Sequence, residues 1–281
     1  MESKRENFIT RLLSGILLTA VVLAAIFSSY LTFGLLLWAI TIGGLSEFYN
    51  MARGMGHEPQ AIAGYGAASA IFAFGFDFFY NSSANNISLS LFLMMIIPLM
   101  FVVELFKGKE EPFKGLGATL LGLVYIAVPM ALLSGVPLML SSGGGWNPIA
   151  VLFYIAIIWS HDSFAYLFGV TLGRHRLYER ISPLKSWEGF IGGIIGAAAM
   201  SAFAAYILDS STLLWVGLSL VLSIFGCLGD LIESMFKRRC GVKDSGKIMP
   251  GHGGWLDRFD SLIFSAPFAM VYLIVMSQLL K

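Results

Sequence analysis

The sequence predicts an all-α integral membrane protein: a polytopic helical bundle of about nine transmembrane helices, N-terminus cytoplasmic and C-terminus outside. Three observations predict it. Apolar residues make up 57% of the chain and charged residues 12%, whereas soluble domains carry about a quarter charged residues. Apolar runs of about 20 residues, the length that crosses a bilayer as a helix, recur from end to end. Positive charge is confined to alternate links between those runs.

In chain order the expected spans are 9–28, 32–50, 61–80, 87–106, 116–140, 149–170, 187–208, 212–236 and 258–280. In the first, Lys4, Arg5 and Arg11 precede an apolar run as in a signal peptide, but no clear small-residue cleavage site follows, so it reads as a retained span. The second is rich in Gly, and the fifth carries Pro129 and Pro137. The seventh has Gly192 and Gly196 four residues apart, a spacing that lets two helices approach closely. With the N-terminus inside, 17 of the 18 Lys and Arg fall on the cytoplasmic side and only Lys281 lies outside. Cytoplasmic loops retain Lys and Arg in this way. Residues 1–142 read as scaffold helices and 143–281 as a catalytic half, with cytoplasmic loops 171–186 and 237–257. Cys227 in a span and Cys240 in a basic loop form neither a disulfide framework nor a zinc cluster.

Polar chemistry gathers after residue 158. Asp162 lies about 12 Å from the cytoplasmic end of its span at 1.5 Å per residue. Asp230 and Glu233, and again Asp257 and Asp260, are spaced three apart, so each pair shares one helical face. An ionised Asp within a span costs on the order of 3 kcal/mol on insertion scales, so such acids face a bundle interior, a partner or an ion. Carboxylates meeting at a cytoplasm-facing pocket suit Mg²⁺, which binds through one or two carboxylates plus substrate phosphates. The bland readings stand beside these. Glu233 is placed to pair with Lys237, and Asp260 with Arg258 to complement a helix dipole. Glu47, Asp77 and Glu104 belong to no motif and read as buried pairs or interface residues, and His57, His161 and His175 as polar-rim residues.

The basic loop carries the strongest signal. Lys237, Arg238, Arg239, Lys243, Lys247 and Arg258 alternate with Gly246, Gly251, Gly253 and Gly254 and with Asp244, His252 and Asp257. The positive-inside rule explains the cations but not the glycines. Glycines let backbone N–H groups close on phosphate oxygens. Gly241 to Lys247 fits the frame of a P-loop, but Ile248 stands where the metal-binding Ser or Thr belongs, so this is not a Walker A motif.

Ser234-x-x-Lys237-Arg238, Lys243-Asp244 and Pro250-x-His252-Gly253-Gly254-x-x-Asp257-Arg258-x-Asp260 resemble the signature of the phosphatidate cytidylyltransferase (CDP-diacylglycerol synthase) family, bacterial type. Asp162-Ser163-x-x-Tyr166 and Ser182-Pro183-x-Lys185-Ser186-Trp187-Glu188-Gly189 look like further family motifs. The family commonly has Lys-Lys-Thr where this chain has Leu184-Lys185-Ser186, which removes one phosphate-binding cation.

The resemblance implies an integral membrane nucleotidyltransferase of phospholipid biosynthesis. Its reaction takes CTP and phosphatidic acid to CDP-diacylglycerol and pyrophosphate, with Mg²⁺ and room for a second cation. It implies Asp230 and Asp257 as leading metal ligands, with Asp260 or Asp162 completing the site. Lys237, Lys243, Arg238, Lys247 and Arg258 would hold phosphates, with Lys185, Ser182, Ser186, Asp244, Gly253 and Gly254 around them. His252 would shape the loop or contact phosphate rather than act as a base. A homodimer in the cell membrane is expected. The rival readings are a CTP enzyme acting on an isoprenoid lipid phosphate, a CTP-dependent lipid kinase, and an ion-coupled transporter. The last would place acids at the bilayer midplane within inverted repeats.

Overall fold

The computed structural model describes residues 2–81, 95–108, 111–141, 145–246, 248 and 253–279, with side chains from Leu12 onward, Asn81 excepted. Helices dominate it, as expected. They are α1 (Glu2–Ser28), α2 (Tyr30–Gly54), α3 (Ala61–Asn81), α4 (Ile96–Lys107), α5 (Pro112–Leu140), α6 (Pro148–Leu172), α7 (Trp187–Ile207), α8 (Thr212–Arg239) and α9 (Leu256–Leu279). Seven of these, α2, α3 and α5 to α9, are long and apolar enough to cross a membrane by length and composition. The first expected span is an apolar helix over Leu12–Ser28, and the fourth is helical over Ile96–Lys107 within the described residues.

Among the described residues, one element departs from an all-helical reading. The loop expected over 171–186 forms a two-stranded antiparallel hairpin, β1 (Arg176–Tyr178) and β2 (Ser182–Ser186), with Arg176 opposite Ser186 and Tyr178 opposite Ser182. The segment is too short and polar to show strand periodicity in the sequence.

The chain forms two compact units. The first comprises Met1–Gly135 and Phe236–Phe259, the second Val136–Met235 and Asp260–Lys281.

In the first unit, Ser29 ends α1 and starts α2 through a reciprocal cap. The Thr32 N–H donates to the Ser29 hydroxyl oxygen (3.1 Å) and the Ser29 N–H to Thr32 Oγ1 (3.0 Å). α5 runs through Pro129 and Pro137. A π turn over Leu123–Ala127 lies just before Pro129, widening the helix where the proline ring would press on the preceding turn. Water-driven burial is weak between helices in lipid, so close packing and buried hydrogen bonds hold such a bundle. Tyr30 donates to the Ser134 carbonyl (2.9 Å), Tyr49 to the Thr119 carbonyl (3.1 Å), and Gln60 Nε2 to Glu104 (2.6 Å). The last of these makes Glu104 the buried partner its place in a span required. Rings of Tyr30, Phe76 and Tyr80 stack at 4.5 and 5.2 Å.

In the second unit, Asn147 caps α6 through the Ile149 and Ala150 amides (3.0 and 3.2 Å), ahead of Pro148 at the first helical position. α6 and α7 lie against each other along most of their length because α7 presents glycines on one face. Gly189 meets the Ala165 carbonyl, Gly192 the Phe168 ring, Gly193 the His161 ring and Gly196 the Phe164 ring. A Cβ at any of them would collide, so the Gly192/Gly196 pair serves close helix packing, as its spacing predicted. Phe225 and Phe268 stack at 3.6 Å between α8 and α9. Leu and Phe side chains left open along the spans, such as Leu17, Phe106 and Leu213, suit contact with lipid.

Candidate active site

In the second unit, α6, α7, α8 and the hairpin enclose a cavity of about 540 Å³. Its polar lining is Asp162, Arg176, Lys185, Ser186 and Asp230, with His161 and Cys227 beside them. Tyr166, Val170, Leu177, Leu184 and Phe190 make the apolar part. Tyr166 and Leu184 are largely exposed, so the apolar part is open to the surroundings.

The hairpin delivers Lys185. Ser186 ends β2 and caps α7, its hydroxyl oxygen accepting from the Gly189 N–H (3.2 Å). Glu188, in the first turn of α7, holds the other strand. Its carboxylate accepts from the backbone amides of Arg174 (3.1 Å) and His175 (3.2 Å) and meets the His175 ring at 2.6 Å. Both hairpin ends are thus tied to the start of α7, with Lys185 one residue before the cap. Its ammonium forms an ion pair with Asp230 on α8 and lies 4.0 Å from Cys227 Sγ. Burial draws the Lys185 ammonium down, but the Asp230 carboxylate, together with Cys227 and Asp260, outweighs it. The group is held above its ordinary value and is a cation at neutral pH.

Asp230, Glu233 and Asp260 each offer a carboxylate oxygen, and these oxygens lie within 4.8 Å of one another. Glu233 and Asp260 are 1% and 8% exposed. The convergence has a local cause. A Cβ on Gly229 would lie 2.7 Å from the Asp260 carbonyl and from Phe264 Cβ, and one on Gly226 would lie 3.4 Å from Ser261. Two glycines three apart strip the face of α8 that meets α9, and the acids beside them come together. Three oxygen donors so placed suit a hard divalent cation.

In the first unit the basic loop is organised around Asp257. One carboxylate oxygen accepts from Lys237 Nζ (2.6 Å). The other accepts from the backbone amides of Ser245 (2.9 Å) and Gly254 (2.8 Å) and lies 3.0 Å from the Ser245 hydroxyl. Gly253 has φ +83°, and a Cβ there would lie 2.7 Å from Asp257 Oδ2, so glycine is required on both counts. Arg238, Lys243, Asp244 and Arg258 are exposed, and Arg238 reaches the Val242 carbonyl (3.5 Å). Lys247 and His252 lie outside the described residues.

The structure therefore brings together Asp162, Lys185, Ser186 and Asp230 around the cavity, and Asp230 with Asp260 in a carboxylate trio. Asp257 and Lys237 form an ion pair in the first unit. Ser182 stands opposite Tyr178 in the hairpin and does not line the cavity. Sequence reasoning did not nominate Glu233 as a ligand, nor Arg176, Cys227 and Glu47. Glu233 had a signal in its i, i+3 spacing from Asp230. The others sit in no motif.

The profile of the cytidylyltransferase family matches residues 9–276. A protein of Staphylococcus aureus (strain COL) named phosphatidate cytidylyltransferase is 49% identical over 126 residues, 44% of this chain and 48% of that protein. The Staphylococcus haemolyticus protein of the same name is 48% identical over 128 residues, 45% and 49% of the two chains. The chain thus aligns with about half the length of these relatives. With a family match across nearly all of its length, the chain belongs to the cytidylyltransferase family.

Proposed function

We propose that the chain transfers the cytidylyl group of CTP to phosphatidic acid, giving CDP-diacylglycerol and pyrophosphate, at the cytoplasmic face of the cell membrane. The observation that carries this is the cavity of the second unit, where the Lys185–Asp230 pair and Arg176 share one space with exposed apolar residues. A phosphate on a lipid stem needs both. The name borne by the staphylococcal relatives points to the same substrates.

In the proposed reaction a phosphate oxygen of the lipid bonds to the α-phosphorus of CTP, in line with the bond to the β-phosphate. That bond breaks and pyrophosphate leaves. The lipid phosphate is already ionised at neutral pH, so no side chain need remove a proton. The chain's work is positioning and charge neutralisation. Lys185 and Arg176 orient phosphate oxygens in the cavity, and Tyr166, Val170 and Leu184 receive the apolar stem. Lys237, Lys243, Arg238 and Arg258, with Lys247 and His252, are candidates for the CTP phosphates. Gly253 and Gly254 allow the loop to close on Asp257. Asp230, Glu233 and Asp260 would hold Mg²⁺, and Asp162 and Asp257 are further candidate ligands. Bound there, Mg²⁺ supplies Lewis-acid neutralisation of phosphate charge.

Nine spans, a cytoplasmic N-terminus and a homodimer complete the proposal. The test uses purified protein, phosphatidic acid, Mg²⁺ and CTP labelled at the α-phosphate. Label in chloroform-extractable lipid, lost with EDTA, is the expected result. No label from folded protein, with label appearing on an isoprenoid phosphate instead, would overturn the choice of lipid.

A further inference from the structure

The signature loop of the first unit is not held by its own residues alone. Glu47 lies on α2, about 200 residues away in the chain, and is 3% exposed. Its Oε1 accepts from the Trp255 amide (2.9 Å). Its Oε2 accepts from the Leu256 amide (2.9 Å) and the Ser245 hydroxyl (2.8 Å). Trp255 and Leu256 stand at the start of α9, where the first N–H groups of a helix have no partner within it. A Ser or Asp at the cap position ordinarily takes such amides. Here a carboxylate from a distant helix does so, and burying it in a spanning segment costs several kcal/mol before its hydrogen bonds offset that.

The loop is built to fit this carboxylate. A Cβ on Gly246 or Gly254 would overlap the Glu47 oxygens. One turn before Glu47, Gly43 seats the Trp255 ring, which a Cβ would meet at 2.9 Å. One turn after it, the Met51 carbonyl accepts from Cys240 Sγ (3.5 Å). Residues 43, 47 and 51 share one face of α2, and that face receives the loop at both ends.

Ser245 links Glu47 to Asp257. Its hydroxyl has one proton and lies near both carboxylates, but Asp257 Oδ2 already accepts two backbone amides. The contact to Glu47 is the shorter (2.8 against 3.0 Å), and the Asp257 N–H donates to Ser245 Oγ (3.3 Å). A chain of hydrogen bonds runs from the Asp257 amide through Ser245 to Glu47.

We propose that Glu47 is a positioning residue: it clamps the loop to α2 and, through Ser245, sets the placement of Asp257 opposite Lys237. The consequence for turnover rests on the cytidylyl-transfer reading; the clamp itself does not.

The test uses full-length protein in detergent. Glu47→Gln keeps the shape of the side chain but replaces one acceptor oxygen by a donor, so a backbone amide loses its partner. Hydrogen exchange of peptides covering Gly253–Arg258 is expected to quicken about tenfold, the effect of one lost hydrogen bond in a protected segment. Unchanged exchange overturns the clamp. For turnover, kcat is expected to fall about 100-fold, the scale of a misplaced group, with KM for CTP little changed. The Glu47→Gln/Asp257→Asn double variant is expected to be no slower than Asp257→Asn alone. Additive losses overturn action through Asp257. Ser245→Ala, which keeps the backbone amide, carries both readouts should Glu47→Gln fail to fold. A wild-type chain that labels no lipid overturns the reading of the reaction, and the exchange result then decides the clamp by itself.

Discussion

Lys185 and Asp230 form an ion pair whose side chains are 27% and 35% exposed. Such partly solvated pairs contribute about 1 kcal/mol or less to stability. If the pair serves substrate binding, removing it should therefore separate activity from folding. Lys185→Met is expected to shift the thermal midpoint only slightly while lowering kcat/KM for lipid phosphate on the order of 100-fold, the usual loss of one aligned donor. Equal losses of midpoint and turnover would instead make the pair structural. Asp230→Asn should remove Mg²⁺-dependent transfer from a folded protein, read in the lipid-label assay, and near-normal turnover would refute its assignment. Asp162, Asp230 and Asp260 were legible in the sequence because an acid in an apolar span is too costly to be idle. Glu47 was visible as the same kind of acid, but its partners were not. Ser245, Trp255 and Leu256 are brought to it only by the tertiary fold, and no local spacing encodes that.

Helices were the most legible elements, since an apolar run of sufficient length has one stable form in lipid. What the runs could not show is which glycines are contacts. Gly229 and Gly117 are both helical glycines, and only the structure separates them. A Cβ on Gly229 meets the Asp260 carbonyl and Phe264 at 2.7 Å, whereas one on Gly117 meets nothing within 4 Å. Gly229→Ala is expected to destabilise by about 1–3 kcal/mol through overpacking. It should also weaken Mg²⁺ protection against thermal unfolding, because the carboxylate trio is pushed apart. Gly117→Ala should be neutral or stabilise by up to about 1 kcal/mol, as alanine favours helix. Thermal unfolding in detergent, with and without Mg²⁺, checks both. Equal effects of the two substitutions would mean that the α8–α9 approach is not what gathers the acids. The hairpin escaped sequence reading for a related reason. Its strands are three and five residues long, and their register is fixed by Ser186 and Glu188 at the start of α7 rather than by alternation.

The orientation proposed for the whole molecule rests on charge alone. Seventeen of eighteen Lys and Arg fall on one side only if every expected span is real, so one missed or added crossing would invert all links beyond it. Two exposed positions at opposite ends of α8 test this where the bias is strongest: Thr212, next to the nearly uncharged link 209–211, and Arg239, within the basic loop. In a chain with Cys227 and Cys240 replaced by Ser, a membrane-impermeant maleimide is expected to label Thr212→Cys in intact cells. Arg239→Cys should label only in inverted vesicles. The reverse pattern would put the basic loop outside, away from CTP, and the proposed reaction would fail with it. Labelling of both from the same side would mean that α8 does not cross. The expected pattern would place the loop, Asp257 and Lys237 on the nucleotide's side of the membrane, where a soluble triphosphate and a lipid phosphate at headgroup level can meet.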